Sequence, residues 1–170
     1  DGFITTLHPW LGYQNLVDGS LKSVSNPGHY WEDFALGRGS TESLIPKSTT
    51  LMPALEQVLP GISKKVHAMS FRVPTNVVAA SDMTLRLYKN TNEQNLIEIF
   101  QTLKDRYPTA VTLNRESLVS IDFKGISQSL VIDLRWLKVY NDRSVKIIAW
   151  YDNEWGYANR VVDVVEQVGK

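Results

Sequence analysis

Runs that alternate apolar and polar residues recur through this chain, several separated only by short turns, as at Lys124-Gly125 and Asn141-Asp142. A turn that short can join only antiparallel neighbours, because a parallel connection needs about a dozen residues. The alternating runs are Phe3–His8, Val66–Val73, Val77–Tyr88, Leu118–Phe123, Leu130–Leu134 and Ser144–Tyr151. In the first, Ile4, Thr6 and His8 share one face. In the second, Ala68, Ser70 and Arg72 lie opposite His67, Met69, Phe71 and Val73. Helical spacing appears between Pro46 and Pro60, where Leu51, Ala54, Leu55, Val58 and Leu59 form a stripe behind Ser48 or Thr49 as N-cap. It returns after a Thr91–Gln94 capping box, at Leu96, Ile97, Phe100 and Leu103, and from Tyr157 to Val168. Strands outnumber helices by about two to one, which predicts an α+β fold with a largely antiparallel or mixed sheet covered on one face by helices.

From Pro9 to Gly39 no period lasts, although Trp10, Tyr13, Tyr30, Trp31 and Phe34 are scattered between glycines. This predicts a long irregular loop after the first strand, with a functional or interfacial use. At 170 residues the chain fits one domain. Its 18 basic and 18 acidic side chains cancel, leaving no electrostatic footprint for nucleic acid or an anionic membrane. No apolar run approaches the ~20 residues a bilayer span needs. Asp1-Gly2 opens without a basic leader, so no signal peptide is expected. Alternation that begins at Phe3 without an initiating Met suggests a piece of a longer protein. Cysteine is absent, which removes disulfides, thiolate metal sites and a cysteine nucleophile from these residues. His8, His29 and His67 lack ligand spacing, so no metal site is expected. No Gly-rich dinucleotide fingerprint follows any strand.

Candidate chemistry concentrates at a few positions. The stretch Trp150-Tyr151-Asp152-Asn153-Glu154-Trp155-Gly156-Tyr157 joins a strand to a helix and crowds carboxylates, an amide and rings where small polar residues would suffice. Such a junction suits an oriented small molecule, and equally a helix capped by Asp152 or Asn153. His8 ends a strand, where an imidazole can exchange protons or simply bond at the sheet edge. Arg72 shares its face with two small residues, leaving room for an anion or for an internal salt bridge. Ser48, Thr49 and Thr50 open a helix and could offer hydroxyls to phosphate, or a plain cap.

Four separated motifs agree in order and spacing. They are Phe3-Ile4-Thr5-Thr6-Leu7-His8, Ile45-Pro46-Lys47-Ser48-Thr49, Phe71-Arg72-Val73-Pro74-Thr75, and Trp150 to Tyr157 followed by Asn159-Arg160-Val161-Val162-Asp163. Together they resemble the C-terminal catalytic domain of the phosphorylating glyceraldehyde-3-phosphate dehydrogenases and of the related erythrose-4-phosphate dehydrogenases. The resemblance implies a cytoplasmic homotetramer acting on a phosphorylated aldehyde and inorganic phosphate with NAD. A cysteine thiolate upstream would add to the carbonyl, hydride would pass to NAD, and phosphate would release the acyl group. The resemblance makes His8 the residue that draws the thiol proton. It makes Arg72 and Thr49 phosphate-site residues, with Thr50 beside them, and Asn153 the holder of the nicotinamide carboxamide. The loop from Pro9 to Gly39 would line a neighbouring subunit's cofactor pocket. Both the NAD-binding domain and the cysteine would lie outside these residues, leaving the 170 residues inert alone.

Some positions depart from the family pattern. Leu11 stands where a threonine usually helps hold substrate phosphate, Tyr13 where a small polar or acidic residue is common, and Thr50 where a glycine is usual. Trp155 and Ala158 lean toward the erythrose phosphate relatives. Two alternatives therefore stand: a different aldehyde on the same scaffold, or a non-catalytic assembly module that kept it.

Overall fold

A computed structural model describes residues 1–20 and 35–169. Seven strands form one open mixed sheet: β1 (Gly2–Pro9), β2 (Ile45–Lys47), β3 (Val66–Val73), β4 (Ala79–Arg86), β5 (Val111–Asn114), β6 (Leu130–Tyr140) and β7 (Ser144–Tyr151). Among the described residues three α-helices accompany them: α1 (Leu51–Val58), α2 (Glu93–Arg106) and α3 (Asn153–Val168). The strand order is β2-β3-β1-β4-β7-β6-β5. β1 runs parallel to β3, and β5 parallel to β6, while every other pairing is antiparallel. The α+β expectation is met.

Asn141, Asp142 and Arg143 turn β6 into β7 between the paired Tyr140 and Ser144, the first two in the left-handed region with φ of 48° and 56°, where Asn and Asp are the side-chain-bearing residues most readily accommodated. Lys124-Gly125 is a different matter. It follows a 3₁₀ turn, Ser120–Phe123, where alternation predicted a strand. Asp122 accepts the Val119 N–H at 2.8 Å and tightens that turn. Phe123 goes inside against Trp150, with ring centroids 5.7 Å apart, while Val119 and Ile121 face solvent. A local side chain–backbone bond and one aromatic anchor override the alternation.

Two helix starts shift from expectation, and a third follows one of the readings offered for it. α1 begins after Thr50, with Thr49 Oγ1 accepting the Leu51 N–H at 3.1 Å, and its apolar stripe is nowhere fully buried in this chain. α2 is capped by Asn92, which accepts from the Asn95 N–H at 2.8 Å in place of the Thr91 box. α3 starts at Asn153, four residues ahead of the Tyr157–Val168 run, on the Asp152 cap that one reading of the junction expects, with Asp152 accepting from both Glu154 and Trp155 N–H groups. β4 is shorter than predicted, β6 runs on to Tyr140 through an irregularity between Asp133 and Lys138, and β5 and β2 are short strands that periodicity did not reveal.

The core sits mainly at the β5–β6–β7 end. There Leu96, Phe100 and Leu103 of α2 pack with Ile132, Leu134, Leu137 and Val145. Asp133, between Ile132 and Leu134 on β6, is fully buried on the opposite face, held by Arg135 and by the Trp150 indole N–H. Valines 161, 164, 165 and 168 of α3 remain exposed. No helix among the described residues is long and apolar enough to cross a membrane. Much of the predicted irregular loop, including Tyr30, Trp31 and Phe34, lies outside the described residues.

Candidate active site

Parallel pairing of β1 with β3 sets His8 opposite Arg72 and Thr6 opposite Ser70. Antiparallel β2 adds Lys47 opposite Ser70. Residues two apart on a strand share a face, so Thr6, His8, Ser70, Arg72 and Lys47 occupy one side of the sheet. Tyr151, at the end of β7, meets the His8 ring edge-on, with centroids 6.1 Å apart and planes at 81°. Burial pushes the Tyr151 hydroxyl up to about 12, so it stays protonated.

Asp152 links this edge to α3. One carboxylate oxygen accepts the Glu154 and Trp155 N–H groups, and the other accepts the Gly125 N–H at 2.9 Å. Gly125 has φ of 75°, so the turn presents its N–H in a conformation that side-chain-bearing residues resist. With the helix start fixed at two points, Asn153 is delivered to the end of β1. Its Nδ2 lies 3.2 Å from His8 Nδ1, across 145 residues of sequence. The other ring nitrogen, Nε2, lies 3.0 Å from Thr6 Oγ1.

A cleft of about 310 Å³ opens beside these groups, lined by Pro9, Leu11, Arg72, Asn76, Val78 and Asn153 among others. Arg72 donates to the Pro9 carbonyl at 3.0 Å, while its Nε is buried without a partner. Among the described residues no carboxylate pairs with Arg72 or Lys47. Arg72 lines the cleft with its Nε bonded to no carboxylate, while Asp152 and Glu154 line the same cleft, and a guanidinium left unpaired there can meet an anion. Arg72 and Lys47 depress their neighbours. Burial first, then Arg72, lowers the Lys47 ammonium. Burial, then Arg72 and Lys47, bring His8 down from 6.5 to about 4, so the imidazole is neutral near pH 7. Val78 forms a cleft wall at φ 67°, a conformation strained for a β-branched residue, and is held there by packing on Phe123 and Val131.

That depression has a measurable sign. The unfolded chain takes up the His8 proton near 6.5 and the folded chain only near 4. Its contribution to stability is therefore complete above about pH 6.5 and is lost as pH falls toward 4. Urea midpoints measured at about pH 7 and pH 4.5 should differ less in His8→Asn than in the unaltered chain. Equal pH dependence in both would remove His8 as the titrating group.

The structure thus joins His8 to Asn153, pairs His8 with Arg72 across β1 and β3, and places Arg72 and Asn153 in one cleft beside the imidazole. Thr49 and Thr50 are not among the cleft-lining residues. They lie at the start of α1, the Thr49 hydroxyl engaged with the Leu51 N–H and Thr50 making no side-chain cap bond. Leu11 does line the cleft, in a turn held by buried Gln14, whose amide oxygen accepts the Leu11 N–H at 3.0 Å. Thr6, Ser70, Lys47 and Tyr151 were not singled out from sequence. Face parity with His8 and Arg72 was the signal for the first two. No cluster of three or more metal-ligating side chains occurs among the described residues.

Comparison with known proteins converges on one family. The model of the glyceraldehyde 3-phosphate dehydrogenase C-terminal domain matches residues 1–153. This chain belongs to that family. The match contains every residue of the cleft up to Asn153. The chain is 37% identical over 169 residues to glyceraldehyde-3-phosphate dehydrogenase 2 of Staphylococcus aureus, covering 99% of this chain and 46% of the relative. It is 36% identical over 167 residues to glyceraldehyde-3-phosphate dehydrogenase of Glossina morsitans morsitans, covering 98% and 47%. The chain therefore spans about half the length of the curated relatives it matches.

Proposed function

We propose that this chain is the catalytic domain of an NAD-dependent phosphorylating aldehyde dehydrogenase, oxidising glyceraldehyde 3-phosphate to an acyl phosphate. In this reading the nucleophilic cysteine and most of the dinucleotide site belong to a domain that precedes Asp1. The chain itself contains no cysteine, so alone it is expected to be inert. The observation that carries the reading is the His8–Asn153 contact with Arg72 beside it, three chemistry-bearing groups from β1, β3 and α3 at one cleft.

Each group has a part that its chemistry allows. Neutral His8 can accept the proton of a thiol and, once charged, donate toward the oxygen of the adduct. Arg72, with its unpartnered Nε and no carboxylate, binds the phosphate of the substrate or the attacking inorganic phosphate. Thr49 and Thr50, at the start of α1 and outside the cleft lining, would hold a separate phosphate in this reading. Asn153 offers a donor and an acceptor on one amide at the exposed mouth of the cleft, which fits a carboxamide such as that of nicotinamide. NAD, when bound, supplies the hydride acceptor. The family's tetrameric assembly and cytoplasmic setting come with the same proposal.

Leu11 favours a second reading within the same chemistry. An isobutyl group in the cleft wall donates nothing to phosphate and leaves apolar space beside Arg72. That suits a longer aldehyde such as erythrose 4-phosphate, or one with an uncharged end. Steady-state comparison of glyceraldehyde 3-phosphate, erythrose 4-phosphate and an unphosphorylated aldehyde on the intact protein separates them. Phosphorylated substrates are expected to lead by roughly 10- to 100-fold in kcat/KM, as charge-assisted bonds of about 1.5–3 kcal/mol imply, and Arg72→Leu should erase that lead. Equal rates for phosphorylated and bare aldehydes would reject the role given to Arg72.

A further inference from the structure

Asn76 lines the cleft, and the reaction above leaves it without a part. It sits in the turn after β3, where the Thr75 N–H donates back to the Val73 carbonyl at 2.7 Å around Pro74. Three bonds fasten this turn to the end of β1. Arg72 donates to the Pro9 carbonyl at 3.0 Å, and the Trp10 N–H to the Thr75 carbonyl at 3.2 Å. The Trp10 indole N–H then donates to Asn76 Oδ1 at 3.1 Å.

That last bond fixes which way the amide faces. An indole N–H can only donate, so it meets the oxygen of Asn76 and never the nitrogen. Trp10 is not among the cleft-lining residues, so the end of the amide left for the cleft is Nδ2. Its hydrogens meet no acceptor among the described residues, and Asn76 is exposed, so water takes them until a ligand displaces it. Asp152, which lines the same cleft, has its oxygens on the N–H groups of Gly125, Glu154 and Trp155. Side-chain donors are few here. Pro9, Leu11, Val77 and Val78 carry none, which leaves Arg72, Asn76 and Asn153, and Asn153 already lies beside His8.

We propose that Asn76 is a further substrate-binding residue, its Nδ2 donating to an oxygen of the phosphate that Arg72 holds, and that Trp10 is its positioning residue. Arg72 brings the charge, and its buried Nε has no other partner. Asn76 brings a neutral donor of fixed direction, which Leu11 cannot supply. The role rests on the phosphate reading of the cleft, and the phosphate is that of the substrate or the inorganic ion that attacks.

The test titrates the intact protein with glycerol 3-phosphate and with inorganic phosphate in a calorimeter. Asn76→Asp keeps the size of the side chain and the oxygen that Trp10 meets, and exchanges only the donating nitrogen for a charged oxygen. Asn76→Ala removes the donor without adding charge. Asn76→Ala should raise Kd about tenfold, the worth of one hydrogen bond to an anion, and Asn76→Asp at least as much. A loss confined to glycerol 3-phosphate assigns Asn76 to the substrate's phosphate, and a loss confined to inorganic phosphate assigns it to the attacking ion. Trp10→Phe keeps a ring in place but lets the amide turn, so it should weaken the same probe. In the Asn76→Ala background Trp10→Phe should add nothing. An equal loss in both backgrounds would reject the positioning role of Trp10. Unaltered Kd for both probes in both Asn76 variants would overturn the proposal. An unaltered protein that binds neither probe would overturn it together with the phosphate reading. One that binds them yet oxidises no aldehyde would refute the dehydrogenase reading alone, with the Asn76 variants still deciding the donor.

Discussion

If the proposed dehydrogenase reading holds, replacing His8 with asparagine in the intact protein should lower turnover by about 10²-fold or more, the usual worth of a positioned general base. Asparagine is close in size and can still bond to Thr6 through its amide, so β1 and its register with β3 should survive the change. What disappears is the ability to take a proton. The loss should fall on kcat, with binding of the phosphate end less affected, because Arg72 and the α1 threonines lie on other elements. Measurement of kcat and KM between about pH 6 and 9, with circular dichroism to verify folding, provides the check. Unaltered turnover would take His8 out of the mechanism.

A comparable effect, on stability rather than rate, is expected from Asp133→Ala. The carboxylate is fully buried. One oxygen accepts the Arg135 Nε–H at 2.9 Å, and the other accepts from Arg135 Nη2 at 2.6 Å and from the Trp150 indole at 3.0 Å. Arg135 also donates to the Leu118 carbonyl, so the carboxylate ties the 3₁₀ region to β6 and β7. Burial pushes this carboxyl up, but the bonds from Arg135 and Trp150 outweigh it and hold the group below the ordinary range. Its stabilisation is thus present above the unfolded carboxylate value near pH 4 and is lost as pH falls below it. Removing the carboxylate strands a half-buried guanidinium and an indole N–H, which costs on the order of 3 kcal/mol. For a chain of this size that is roughly a 10 °C fall in Tm. Urea unfolding of Asp133→Ala showing a loss under about 1 kcal/mol would contradict the importance of the network.

The two residues in these experiments were unequally visible in the sequence. His8 could be placed at a strand end by alternation, and the motifs around it indicated a role. Asp133 sits in the expected run Leu130–Leu134 as one polar residue among apolar ones, and its partners appear only once β6 bulges and β7 returns. The adjacency of His8 and Arg72 was equally hidden, since parallel register between distant strands leaves no trace in local periodicity. Alternation misled at Leu118–Phe123, where Asp122 closes a turn on itself. β5 has four residues, too few for a period to emerge. The start of α3 was legible as the Asp152 cap, although the apolar stripe begins only at Tyr157, because a cap acts on backbone groups before any stripe appears. Thr6 and Ser70 look like ordinary sheet residues until the parallel register brings their hydroxyls together.

The central position of β1 also governs how the protein is made. Its neighbours in the sheet lie 64 residues and more downstream, so at about 5–20 residues per second the ribosome delivers β3 some 3 to 13 seconds after β1. Loop closure over that distance precedes any reward from pairing, which marks this part of the sheet as a late, high-contact-order step. A strand waiting that long for both of its edges is a natural client for chaperones, and the His8 imidazole acquires its surroundings only once β3, β7 and α3 have arrived.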